Sequence, residues 1–161
     1  MRRTAVIATS VMALLGMGAF LAASGGAQEQ GGQTINLVTK NFSFKFIDHR
    51  PRAREEEDAS AGDQFLLSGS AFEAGERVGR VSAQCTFTRG GKNTSGICSG
   101  VYALRGGDIY ATGRLGTTNA VRGAVVGGTG EYLGARGTFK SVDRKGEKGG
   151  DPSDDTITLL P

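Results

Sequence analysis

The sequence contains no tryptophan, three prolines, one histidine and two cysteines. Two cysteines and one histidine cannot supply the four ligands usual for structural zinc, so we expect no metal site. Neither sign of charge dominates, since the chain has 19 Lys+Arg and 16 Asp+Glu, interspersed along its length. Without an extended basic segment, we expect no nucleic-acid partner.

No long stretch has the 3.6-residue apolar period of an amphipathic helix. Apolar residues alternate instead with polar ones, as they do over 42–46 and 81–87, which is typical of strands with one apolar face. Turn residues separate these segments, at intervals of about ten residues, and predict an antiparallel sandwich or a closed barrel. The predicted strands are 34–38, 42–46, 64–70, 81–87, 97–104, 108–115, 122–126, 137–142 and 156–160.

Two stretches, residues 50–62 and 143–155, are polar and mixed in charge, so we expect solvated loops there. The second contains Asp151, Asp154 and Asp155, which lack the EF-hand spacing and its closing glutamate. A flexible loop is therefore favoured over a calcium site.

The first 27 residues have the order of a secretory signal peptide. Arg2 and Arg3 precede an apolar run over 5–23, and small residues follow it. The run is close to the ~18 residues that a membrane span needs, so an uncleaved anchor is the alternative. We predict a signal peptide, residues 1–27, and one domain, residues 28–161, that is secreted to the extracellular space or periplasm without a membrane partner.

Export favours a disulfide between the two cysteines. Cys85 and Cys98 lie in neighbouring predicted strands, which a glycine-rich turn joins. A hairpin brings them together, and we therefore predict a Cys85–Cys98 bridge.

The segment 125–137 reads Val-Val-Gly-Gly-Thr-Gly-Glu-Tyr-Leu-Gly-Ala-Arg-Gly. It does not fit a dinucleotide-binding loop, because Leu133 stands where the third glycine belongs. It resembles the signature of plant dirigent proteins and, in a looser form, of allene oxide cyclases. The resemblance extends over most of residues 34–161, through 44–48 as a first strand ending in an acid, Gly62-Asp63, Val78-Gly79-Arg80 and the last strand, 156–161.

The resemblance implies an eight-stranded antiparallel, calycin-like barrel, often a homotrimer, with an apolar cavity. In these families the cavity orients a reactive hydrophobic molecule without a cofactor, for phenoxy radical coupling or epoxide cyclisation. We therefore predict a barrel that binds a hydrophobic, oxygenated small molecule and directs its cyclisation, isomerisation or stereoselective coupling. A secreted lipocalin-like protein that carries the molecule unchanged is the alternative. A third possibility is a structural protein whose barrel is filled by its own side chains.

Asp48 is the predicted catalytic acid. It continues the even-numbered series of Phe42, Phe44 and Phe46, so strand alternation places its carboxyl group at the end of the apolar face. A turn acid, or a partner for a nearby arginine, is the alternative role for Asp48.

Arg136 matches the arginine of the dirigent signature and is the second predicted catalytic residue. It is expected to pair with Asp48 or Glu131, and capping the turn is the alternative. The predicted ligand-binding residues are Phe44, Phe46, Arg80, Tyr102, Glu131 and Tyr132. For Arg80 and Tyr102, a position facing solvent or a subunit contact is the alternative, and for Glu131 it is an exposed position in the turn.

Overall fold

The computed structural model describes residues 32–49, 59–144 and 152–161. The predicted signal peptide lies outside these ranges, as do residues 50–58 and 145–151 of the two predicted loops. The strands are β1 (Thr34–Ile47), β2 (Gln64–Glu73), β3 (Glu76–Arg89), β4 (Ser95–Leu104), β5 (Gly107–Leu115), β6 (Ala120–Gly128), β7 (Gly137–Asp143) and β8 (Ser153–Leu159). Short 3₁₀ turns precede β4, at Gly91–Asn93, and β7, at Gly130–Tyr132.

The eight strands form one closed antiparallel barrel. Each strand pairs with its neighbours in sequence, and β1 closes the barrel by pairing with β8. The predicted all-β, eight-stranded barrel is therefore confirmed. Over the described ranges, no helix has the length and apolar character needed to cross a membrane.

A β-bulge in β1 explains why this one strand gave two separate strand signals. The register with β2 shifts around Asn41, whose φ is 57°. Before the bulge, odd-numbered side chains such as Leu37 and Thr39 are buried in the barrel. After it, the even-numbered Phe42 and Phe44 face the interior. One extra residue has reversed the parity of the inward face, as a bulge does.

The end of the barrel where β1 begins and β8 ends, which we call the closed end, is filled by apolar side chains. Ile109 and Ile157 are fully buried there. Their neighbours in this core are Ile35, Leu37, Val125 and Leu159. The opposite end, the open end, carries the β1–β2, β3–β4, β5–β6 and β7–β8 connections. The packed core therefore lies toward the closed end.

Cys85 on β3 and Cys98 on β4 lie directly opposite each other and form a disulfide. Their Cα atoms are 4.0 Å apart, and both side chains are buried against the barrel interior. The predicted bridge is therefore confirmed, and it staples two adjacent strands of the wall.

Asp63 fastens the β1–β2 connection at the open end. Its carboxyl group accepts hydrogen bonds from the backbone N–H of Ser60 at 2.7 Å and of His49 at 3.0 Å, and from the Ser60 hydroxyl at 3.0 Å. The bond from the Ser60 backbone contributes most to lowering the pKa of Asp63, against the opposing effect of desolvation. A charged group favoured in this way holds both ends of the connection beside β2.

The loop predicted over 143–155 is wrong at both of its ends. Asp143 is the last residue of β7, and β8 begins at Ser153. Asp155 pairs in register with Leu37 of β1 and with Ser141 of β7, so it belongs to the barrel wall. Hydrogen bonds from interior hydroxyl groups to the Asp155 carboxyl group allow this polar residue to be buried in the barrel.

Candidate functional site

The open half of the barrel encloses a cavity of about 430 Å³. This volume lies within the usual range of small-molecule sites. Aromatic and aliphatic side chains from around the barrel form most of the wall, namely Phe42, Phe44, Phe65, Leu67, Val81, Leu115, Val121 and Phe139. The interior therefore has room for a hydrophobic guest, which a barrel filled by its own side chains would lack.

Four phenylalanine rings form a continuous aromatic rim at the open end. The Phe44 and Phe65 rings stack with centroids 5.2 Å apart, and Phe87 lies 5.7 Å from Phe65 and 6.3 Å from Phe46. Phe44 is 62% exposed and Phe46 is 45% exposed. Large apolar rings that face water beside a cavity favour the entry of an apolar molecule.

One polar cluster interrupts the apolar wall. The Asp155 carboxyl group accepts hydrogen bonds from the Thr39 hydroxyl at 2.5 Å and from the Ser153 hydroxyl at 3.0 Å. The Tyr102 phenol lies close enough to Asp155 for that carboxyl group to raise its pKa. All four residues are buried and line the cavity. The site therefore combines an aromatic chamber with one fixed acid and three hydroxyl groups.

Burial raises the pKa of Tyr102 well above its ordinary value, and the charge and hydrogen bond of Asp155 raise it further. The phenol therefore keeps its proton at neutral pH. Its hydroxyl is held against a carboxyl group inside a chamber of low polarity. Such a pair can orient an oxygen or nitrogen function of a bound molecule by hydrogen bonding.

The raised pKa of Tyr102 predicts how stability depends on alkaline pH. The pKa of Tyr102 in the folded protein exceeds its value of ~10 in the unfolded chain. The contribution of this phenol to the free energy of unfolding is therefore complete below pH ~10, and it is lost as the pH rises through the folded pKa. Denaturant midpoints measured from about pH 8 to 11 should therefore fall with increasing pH. The fall should be smaller in Tyr102→Phe. An equally steep fall in that variant would contradict the assignment.

The charged residues that line the cavity are both acids. Asp155 lies in the wall, and Asp143 lies at the end of β7 near the opening. No lysine, arginine or histidine is among the described lining residues. In the described part of the chain, no group of three or more metal-ligating side chains occurs. The charged side chains of the described cavity wall are therefore acidic.

The structure corrects the expected placement of Asp48. The residue lies beyond Ile47, the last residue of β1; its side chain is exposed, and it is not among the cavity-lining residues. Strand alternation ends at Ile47, because the next turn of chain is tied to Asp63 through the His49 backbone N–H. The buried acid in the aromatic chamber is Asp155.

Arg136, Glu131 and Tyr132 lie at the closed end, on the β6–β7 connection, and are absent from the cavity wall. Arg136 is exposed, and its guanidinium donates a hydrogen bond to the Pro161 backbone carbonyl at 3.3 Å. Asp48 follows β1 at the other end of the barrel, so the expected Arg136–Asp48 pair does not form. Desolvation, followed by nearby acidic charge, raises the pKa of Tyr132, which packs against the core.

The remaining predicted ligand-binding residues divide into two groups. Tyr102 and Phe44 lie in the cavity wall, whereas Phe46 lies on the aromatic rim outside it. Arg80 is exposed on the outer face of β3, opposite Ser70 and Ala103, because the inward positions there carry the other parity. Of the six predicted ligand-binding residues, Tyr102 and Phe44 therefore line the cavity and the others do not.

Sequence reasoning missed Asp155 as a cavity residue. The signal was present, since Ser153, Asp155, Ile157 and Leu159 share one parity, and the two apolar members reveal the buried face. The three aspartates of the mixed-charge stretch 143–155 predicted a solvated loop instead. Continuing the alternation of β8 backwards by three residues would have placed Asp155 inside.

The closed eight-stranded barrel of this chain is similar in fold to solved structures of a dirigent protein and a Diels-Alderase. Among solved structures, the chain is similar to a pyocyanin demethylase, with 23% identity, coverage of 80% of this chain and 100% of that one, and a TM-score of 0.66. It is also similar to the pterocarpan synthase dirigent protein PsPTS1, with 16% identity, coverage of 83% and 97%, and a TM-score of 0.64. The Diels-Alderase AbmU from Streptomyces koyangensis has 12% identity, coverage of 84% and 72%, and a TM-score of 0.56. The chain matches no protein-family model and no curated protein sequence.

Proposed function

We propose that this barrel binds a hydrophobic, oxygenated small molecule in its open-end cavity and directs its cyclisation, isomerisation or stereoselective coupling. The observation that carries the proposal is the buried polar cluster of Asp155, Tyr102, Thr39 and Ser153 in a largely apolar chamber. An apolar chamber with few convergent polar groups is the usual form of a small-molecule site. Solved structures of the same fold include proteins named as dirigent proteins and as Diels-Alderases, which supports this reaction class.

The chemistry that the chamber offers is positioning. The aromatic wall would hold the apolar body of the molecule, and the Tyr102 hydroxyl and Asp155 carboxyl group would fix one polar end. Holding reacting groups in a near-attack geometry lowers a barrier without any group of the protein forming a bond. Asp155 can also accept a proton from a bound hydroxyl or stabilise a positive charge that develops beside it.

The charge of the wall narrows the substrate class. Because both charged lining residues are acids, an anionic guest would have to approach them without a basic partner in the described wall. An unpaired charge in a chamber of low polarity is costly. The preferred substrate is therefore neutral or cationic, and it carries a hydroxyl or N–H group that donates to Asp155.

A pair of fluorescent probes tests this binding mode. N-phenyl-1-naphthylamine is neutral, and 8-anilinonaphthalene-1-sulfonate has the same rings with an added sulfonate. The neutral probe should bind at least about tenfold more tightly. Asp155→Asn, which keeps the size of the side chain, should narrow this difference. Asp154→Asn is the matched control, because Asp154 is exposed on the adjacent position of β8 and pairs with Arg144.

Conversion is tested with the small molecules that co-purify with the protein. Untargeted mass spectrometry before and after incubation with an extract of the producing culture should show a hydrophobic molecule that is converted by the protein. Asp155→Asn should retain the molecule but convert it more slowly. Recovery of the molecule unchanged would favour the carrier alternative, and equal binding of both probes would exclude the proposed binding mode.

Secretion and trimer formation are further parts of the proposal. The Cys85–Cys98 disulfide is consistent with an oxidising compartment. Tyr110 and Val126 are large side chains exposed on the outer faces of adjacent strands, 42% and 60% accessible, and a neighbouring subunit could cover them. Light scattering at micromolar concentration should give a trimer, and a monomer would contradict this assembly.

A further inference from the structure

Three basic side chains lie side by side on the outer wall of the barrel. Arg114 of β5 is directly opposite Arg122 of β6, and Arg122 is directly opposite Lys140 of β7. All three are exposed. Neighbouring strands are about 4.8 Å apart, so these residues form a short line of positive charge across three strands, which we call the basic row.

The basic row has no counter-charge among the described residues. None of its three side chains makes an ion pair or a side-chain hydrogen bond with another described residue. The ion pair found among the described residues joins Arg144 and Asp154 instead. Like charges directly opposite each other on adjacent strands destabilise a sheet. The row is therefore a position where a bound anion would relieve repulsion.

A polar groove of about 370 Å³ adjoins the row at the open end. Two arginines, Arg89 and Arg114, border this groove, so Arg114 belongs to both features. Amide and hydroxyl groups also line the groove, from Asn93, Thr94, Thr117 and Thr118. No acidic side chain is among the described lining residues.

We propose that the basic row and its groove form a binding site for an acidic polysaccharide, a sugar polymer bearing sulfate or carboxylate groups. Guanidinium groups bind such oxyanions in a bidentate manner. The hydroxyl and amide groups of the groove suit the hydroxyl groups of a sugar chain. A linear polymer matches a line of charges that continues into a groove. A single small anion would leave most of these charges without a partner.

This site is separate from the cavity. The cavity opens at the end of the barrel and has acidic lining residues, whereas the basic row lies on the outer wall and shares no residue with the cavity wall. Polysaccharide binding would place the barrel on an anionic extracellular matrix or cell surface without blocking the cavity.

Binding of dextran sulfate, measured by titration calorimetry with neutral dextran alongside, tests the site. The row variant Arg114→Gln/Arg122→Gln/Lys140→Gln should lose at least about tenfold in affinity, and the wild-type affinity should fall as salt rises from about 50 to 200 mM. The control variant Lys45→Gln/Arg77→Gln/Arg105→Gln removes the same charge elsewhere on the surface. It should lose less than about threefold.

Neither variant should melt below the wild-type temperature, and the row variant should melt slightly above it because the facing like charges are gone. Both should keep the wild-type affinity for N-phenyl-1-naphthylamine, which reports on the cavity. Equal losses in the two variants would show that net charge alone is responsible and would overturn the site. Tighter binding of single-stranded oligothymidylate than of dextran sulfate at equal charge would overturn the choice of polymer. Unchanged dextran sulfate affinity in the row variant would overturn the proposal altogether.

Discussion

Phe139→Ala is expected to lower the free energy of unfolding by about 3–5 kcal/mol. Phe139 is 9% exposed and belongs both to the packed core and to the cavity wall. Its ring lies against Gly113, where an added Cβ would come within 2.8 Å of the ring. Gly113 is paired with Gly123, and Gly123 with Phe139, so the ring reaches across a strand position without a side chain to contact Gly113. Losing the ring leaves a void that no neighbour fills.

Chemical denaturation followed by circular dichroism measures this loss. Leu133→Ala is the control, because Leu133 is 83% exposed, and its change should stay within about 0.5 kcal/mol. Phe139→Ala should also enlarge the cavity and weaken binding of N-phenyl-1-naphthylamine. A loss of free energy of unfolding no greater than that of Leu133→Ala would mean that the Phe139 ring does not contribute to the packed core.

Removing the disulfide with Cys85→Ala and Cys98→Ala together should cost about 3 kcal/mol. The bridge closes a short loop of chain, whose two ends are 13 positions apart in sequence, and so restricts the unfolded state. Alanine keeps these wall positions apolar, which separates the loss of the crosslink from the introduction of polar groups. The native barrel should remain, because both positions pair within the β3–β4 ladder.

A reductant provides the internal control for this prediction. It should lower the denaturation midpoint of the wild-type protein to near that of the double variant and leave the variant unchanged. Mass spectrometry without reductant should find no free thiol in the wild-type protein. Identical midpoints for the oxidised wild type and the variant would mean that the bridge adds nothing to stability.

Local pattern was sufficient to predict the strands. Alternation over 81–87 reflects burial of one face of β3, and the same holds for the segments that became β4, β5 and β7. The pairing of Cys85 with Cys98 was also predictable, because a hairpin between consecutive strands is a local structure. These features depend on residues close together in the chain.

The parity of the inward face could not be followed through β1. The bulge at Asn41 reverses it, and the strand ends before Asp48. Phe42 and Phe44 therefore do face the interior near the open end, whereas Phe46 and Asp48, which continue the even-numbered series, do not line the cavity. Where a strand stops is decided by its pairing with β2 and by the bonds to Asp63, which lie outside the segment itself.

By itself, the local pattern of the sequence determined an all-β fold, with strands that have one apolar face and with paired cysteines, since alternation, turn residues and cysteine spacing act locally. It left a sandwich and a barrel open, and only the resemblance of residues 125–137 to the dirigent signature implied the barrel. The tertiary structure alone decided which acid lies inside and where charge gathers outside. Thr39 and Asp155 are 116 residues apart in sequence, and they meet because β1 and β8 close the barrel. The basic row likewise depends on the register of β5, β6 and β7. Closure and register are set by the pairing of whole strands, so no single segment of the chain encodes either.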